Sequence, residues 1–112
     1  MAKNEGQEHE KIKSMAGAWL EEQGFVIEYE YRINNGRMQR NRKIYYTIDV
    51  YGKRSDNTIA VECGGSKINK LNDLLTIIGS VYVWPYGETS PFKWEEGLSV
   101  CPACGHITNI RP

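Results

Sequence analysis

The first strong pattern along the chain is helical. Ile12, Met15, Ala16, Trp19 and Leu20 recur at three- and four-residue spacing, which predicts one buried face of a helix running from residue 5 or 7 to residue 23. Gly24 supplies its stop, and His9 extends the same face by one turn toward the N-terminus. Phe25, Ile27, Tyr29 and Tyr31 then alternate with Glu28 and Glu30, as a strand over 25–31 requires. The cluster Asn34-Asn35-Gly36 predicts a turn. A second strand over 44–51 is rich in β-branched and aromatic residues, with Ile44, Tyr46, Ile48 and Val50 on one face and Asp49 on the other. The polar stretch 52–57 reads as a loop, followed by a third strand over 58–63. There Ile59, Val61 and Cys63 share one face, and Ala60 and Glu62 the opposite one. Gly64-Gly65-Ser66 breaks the pattern before a helix over 67–78 that presents Ile68, Leu71, Leu74 and Leu75. Gly79 closes that helix, and 81–84 is a fourth strand. The predicted order is αβββαβ, an α/β class.

Length and composition narrow the setting. A chain of 112 residues makes one domain with little core to spare. Hydrophobic residues at 40% and charged residues at 25% are ordinary for a soluble globular protein. No apolar run approaches the ~18 residues of a membrane span, and the polar N-terminus carries no signal-peptide pattern, so no membrane partner and a cytoplasmic location are expected. Three cysteines, two of them in a CxxC, favour metal or thiol chemistry in a reducing compartment.

The zero net charge hides a segregation. Residues 1–30 carry seven acids against three bases, and residues 31–112 carry seven acids against eleven bases. Between 32 and 43 stand Arg32, Arg37, Arg40, Arg42 and Lys43 with no acid among them. Such a stretch suits phosphate binding; it is equally the composition of a solvated loop.

The polar faces of the second and third strands bring two acids together. If the two strands form an antiparallel hairpin, position 49 comes close to positions 60–62, so Asp49 and Glu62 converge. Like charges this close need compensation. A hard divalent cation such as Mg²⁺, held by one or two carboxylates and a substrate phosphate oxygen, supplies it. The alternative is that both acids face solvent or meet Lys53 and Arg54.

The element order and the residues around these acids resemble the PD-(D/E)XK, restriction-endonuclease-like nuclease superfamily, in the manner of a small, resolvase-like member. Thr47-Ile48-Asp49-Val50-Tyr51-Gly52 looks like its first motif and Ile59-Ala60-Val61-Glu62-Cys63-Gly64 like its second, with the likeness covering roughly 7–87. The resemblance implies a mixed central sheet flanked by helices and a Mg²⁺- or Mn²⁺-dependent deoxyribonuclease. It makes Asp49, Glu62 and the backbone carbonyl of Cys63 the metal ligands. One position departs from the pattern: Gly64 stands where the motif lysine belongs. In some members that lysine sits on the following helix, which makes Lys67 and Lys70 candidates, Lys70 the preferred one. Branches with an acid on the first helix extend the ligand set to His9 or Glu10, although acids in a first turn also serve the helix dipole. DNA is the implied partner, with Arg37, Arg40, Arg42, Lys43 and Lys67 on its phosphates, and a homodimer is implied because cutting two strands needs two sites.

Residues 1–90 are assigned to the nuclease-like core and 91–112 to a tail. There Cys101-Pro-Ala-Cys104-Gly resembles a zinc knuckle, half of a structural Zn²⁺ site, to which His106 or Cys63 could add. Tyr82, Trp84, Tyr86, Phe92 and Trp94 suit either base stacking or core packing. Besides a nuclease, two other functions fit: a zinc-stabilised nucleic-acid-binding module that no longer cuts, and a protein-interaction domain paired through its tail.

Overall fold

The computed structural model describes residues 2–95, without the side chains of 2–5 and 35–39. Helix α1 (Ala2–Glu22) is followed by strands β1 (Val26–Gln39), β2 (Arg42–Arg54) and β3 (Asn57–Gly64). Helix α2 (Ile68–Ile78) and strands β4 (Val81–Pro85) and β5 (Phe92–Lys93) complete the order. The strands form one five-stranded sheet in the order β1-β2-β3-β4-β5. Only the β3–β4 pair is parallel, and α2 is the crossover between its strands. The chain is therefore an α/β fold with a mixed sheet and two helices. No helix among the described residues is long and apolar enough to cross a membrane.

The helices cover opposite faces of the sheet. Ile12, Ala16 and Leu20 of α1 pack on Val50, Ile59, Val61, Cys63 and Trp84. Leu71 and Leu74 of α2 pack on Ile48, Ala60, Val81, Val83 and Trp94. Strand β3 serves both layers because alternate residues point to opposite sides, and all its positions from Ile59 to Gly64 are buried. Trp19 meets Trp84 and Tyr82 edge-to-face in the α1 layer, while Trp94 is 1% exposed in the α2 layer and donates to Asn72 Oδ1 at 2.9 Å. Trp84 and Trp94 are thus packing residues rather than a stacking surface. The packed body continues past residue 90, since β5 pairs with β4 and Trp94 closes the core behind it.

Three expectations need correction. The Asn34-Asn35-Gly36 cluster does not turn the chain. β1 runs through it with a register shift between Asn34 and Met38, and the hairpin closes at Arg40 and Asn41. Both of these have positive φ (52° and 65°), the backbone signature of a two-residue primed turn whose twist matches the strands. The expected loop 52–57 is largely strand: pairing persists to Arg54↔Asn57, and only two residues turn the chain, with Ser55 at φ 53°. Finally, Ile48 and Val50 do not share a face. Ile48 joins the α2 layer and Val50 the α1 layer, because β2 rotates about its own axis at Asp49.

Candidate metal centre

The rotation of β2 is matched in β1. Tyr29 faces α1, where its hydroxyl closes on Gly17, whereas Tyr31 belongs to the α2 layer. Between them Glu30 has φ 54°, a left-handed conformation unusual for a side-chain-bearing residue within a strand. The ladder pairs Tyr29 with Val50 and Tyr31 with Ile48, so Glu30 stands opposite Asp49. On the other side, β2–β3 pairing stops at Val50↔Val61, and the next step of the same register sets Asp49 opposite Glu62. Glu30, Asp49 and Glu62 therefore form one row across three neighbouring strands, at the point where both strand pairs change character.

Beyond Val50↔Val61, side chains replace the ladder. Cys63 N–H donates to Asp49 Oδ2 at 2.8 Å, and Asp49 N–H donates to Glu62 Oε2 at 3.3 Å. Each carboxylate thus takes up a backbone donor that strand pairing leaves over. Their remaining oxygens face different partners. Asp49 Oδ1 lies 3.3 Å from His9 Nε2 of α1, and Glu62 Oε1 lies 2.8 Å from Lys70 Nζ of α2. Lys70 also donates to the Thr47 carbonyl at 2.8 Å, so it spans from α2 to the edge of the gap. Glu62 is 2% exposed. Burial pushes its carboxyl above the ordinary value of 4.5, the Asp49 charge pushes it further, and Lys70 opposes both.

On the α1 side, Lys13 is buried with its ammonium 2.7 Å from Glu30 Oε2 and 3.2 Å from Glu10 Oε2. The hydrogen bond to Glu30 raises the Lys13 pKa more than burial lowers it. His9, Glu30 and Asp49 each bring one ligand-capable atom within 4.8 Å of the others. Nitrogen and carboxylate oxygen at such spacing form a donor set suited to a divalent cation.

Gly64, where the motif lysine would stand, has φ 92°, and a Cβ there would lie 2.5 Å from the ring of Tyr86. The left-handed backbone disfavours a lysine at this position, and a side chain there would displace the half-exposed Tyr86 ring. The Tyr86 hydroxyl is 3.4 Å from His9 Nδ1, so tyrosine and aspartate address the two ring nitrogens of one imidazole.

Of the residues singled out from sequence, the structure brings together Asp49, Glu62, Lys70, His9 and the Cys63 backbone. Cys63 itself is buried in the α1 layer, with its thiol pushed far up by burial. Glu10 is paired with Lys13 and makes no described contact with Asp49; a residue next to His9 on a helix points about 100° away from it. Lys67 is the exposed N-cap of α2. Arg32, Arg40, Arg42 and Lys43 line an open depression at the β1–β2 hairpin with Ile44 and Tyr45, and the Arg32 guanidinium stacks 4.5 Å from the Tyr45 ring. The Arg37 side chain, and Cys101, Cys104 and His106, lie outside the described residues. Glu30 and Lys13 carry no site signal in the sequence, and Tyr86 stands there only among the aromatics suited to stacking or packing. The Asn-Gly pair, the strongest local hairpin signal, placed the turn too early, and with that register Glu30 falls far from Asp49.

No protein-family model matches the chain, and comparison with curated proteins and with solved structures gives no match either.

Proposed function

We propose that the chain is a divalent-cation-dependent phosphodiesterase acting on DNA, with a PD-(D/E)XK-type core. The observation that carries this reading is the meeting of Asp49, Glu62 and Lys70 where β2 and β3 cease to pair. Asp49, Glu62 and the Cys63 carbonyl would hold Mg²⁺ or Mn²⁺, which supplies positive charge to the phosphoryl oxygens and the leaving oxygen. Lys70 acts as a donor. Its ammonium has three N–H groups, and two are directed to Glu62 Oε1 and Thr47 O. The third holds the attacking water or a non-bridging phosphate oxygen. The arginines and lysine of the hairpin depression neutralise the DNA backbone, a role that needs charge but no base readout. Two such chains as a homodimer would address both strands of a duplex, with the CxxC tail contributing structural Zn²⁺.

The test is cleavage of labelled duplex, branched and single-stranded DNA with Mg²⁺ or Mn²⁺, with Glu62→Ala alongside. Cation-dependent products that vanish in the variant support the reading. Salt-sensitive binding without products from any substrate turns it into a DNA-binding module that does not cut.

A further inference from the structure

The Asp49–Glu62 pair leaves unexplained why the opposite end of the same row is built as it is. Both oxygens of Glu62 are engaged, one by Lys70 and one by the Asp49 amide, and the side chain is buried. Asp49 Oδ1, by contrast, looks toward α1 and β1, where His9 Nε2 and the Glu30 carboxylate stand. Glu30 is half-exposed at 51% and holds a left-handed backbone conformation that L-residues disfavour, with its carboxylate on the same side as His9. The charge Glu30 meets there is the ammonium of a buried lysine, Lys13, at 2.7 Å.

From this geometry we infer a cation position on the α1 side of the sheet, held by His9 Nε2, Asp49 Oδ1 and Glu30. Lys13 is the internal counter-charge that Glu30 exchanges for the ion. The inference rests on the proposed reading for the role of Asp49 as a ligand, and adds to it a β1 carboxylate and a choice of metal. Ligands in cis positions around one octahedral ion stand about 3 Å apart. His9 Nε2 and Asp49 Oδ1 already stand 3.3 Å apart, and the three ligand atoms all lie within 4.8 Å of one another. An imidazole nitrogen favours first-row transition ions over Mg²⁺, so of the two cations in the proposed reading the position prefers Mn²⁺. Tyr86, at Nδ1, keeps Nε2 of His9 directed at the site.

The experiment is calorimetric and paramagnetic-resonance titration of the chelator-treated full chain with MnCl2 and with MgCl2. Wild type is compared with Glu30→Gln, His9→Ala, Asp49→Asn and Lys13→Met. Wild type binds Mn²⁺ more tightly than Mg²⁺, by about tenfold. Glu30→Gln weakens Mn²⁺ by about fivefold or more, and His9→Ala removes the preference over Mg²⁺. Lys13→Met guards against misfolding of the other variants. By removing the competitor it binds Mn²⁺ at least as tightly as wild type, and Mn²⁺ raises its melting temperature by more. Glu30→Gln binding within about fivefold of wild type, or Lys13→Met losing affinity, overturns the inference. Cleavage assays separate the two readings. DNA cutting with Glu30-independent Mn²⁺ binding leaves the nuclease reading standing, and Glu30-dependent binding without cutting leaves only the cation site.

Discussion

At the scale of single residues, Glu62 combines burial, a neighbouring like charge and one compensating lysine. A carboxyl with a raised folded-state pKa binds its proton more tightly when folded. Its favourable contribution is complete below the unfolded value and is lost as pH rises through the folded one. Wherever it is charged, Glu62 therefore subtracts from stability. Glu62→Gln is expected to raise the melting temperature at pH 7, with a gain that shrinks toward pH 4. Lys70 tolerates the loss of its partner because its side chain is 23% exposed and reaches water. A lower melting temperature at pH 7 contradicts this account of the charge. Gly64 is the second residue with a definite consequence. Gly64→Lys places a side chain at φ 92° against the Tyr86 ring. The expected loss is about 1–2 kcal/mol, set by the left-handed backbone, because the half-exposed Tyr86 ring can turn aside. Adding Tyr86→Ala therefore returns little of it, as denaturant unfolding will show.

At the scale of elements, the hairpin joining β1 and β2 is where structure and charge compete. Arg40 and Asn41 occupy the two positive-φ positions of a turn that prefers Asn-Gly. The double change Arg40→Asn with Asn41→Gly is expected to add about 1 kcal/mol of stability. On the proposed reading it also weakens DNA binding and makes its salt dependence shallower by about one charge, the one Arg40 would neutralise on a phosphate. Stronger binding, or an unchanged salt slope, removes the hairpin from the DNA interface. The same hairpin shows where the sequence could be read and where it could not. The helix of Ile12, Ala16 and Leu20 is readable because it buries one regular face, and β3 because Ile59, Val61 and Cys63 alternate strictly with Ala60 and Glu62 between its two buried faces. The faces of β1 and β2 are not. Both strands rotate at Glu30 and Asp49, so Ile48 and Val50 pack in different layers. Periodicity carries no mark of such a rotation, since it is set by the pairing of the two strands and not by either alone. Lys70 is legible because Gly64 lacks a side chain and the next lysines along the chain lie at the start of α2. Glu30 was not found because its partner depends on a turn at Arg40-Asn41 that local preferences do not announce.

At the scale of the whole molecule, one sheet clamped between two helices brings four elements to a single point. α1 brings His9, β2 brings Asp49, β3 brings Glu62 and α2 brings Lys70. Each of these side chains stands on a helix or strand rather than in a loop, which holds the constellation to a narrow range of geometries. The stability given up at Glu30 and Glu62 is concentrated in that one region, the pattern expected where function rather than packing selects the residue. The most direct test is the single-turnover cleavage rate of labelled DNA by chelator-treated protein after addition of Mn²⁺, for wild type and Asp49→Asn, with DNA binding measured in parallel. The account predicts cutting that returns with Mn²⁺ in wild type. In Asp49→Asn it predicts a rate lower by about a thousandfold or more with DNA still bound. Cutting by the variant at the wild-type rate, or none by wild type under any cation, would contradict it.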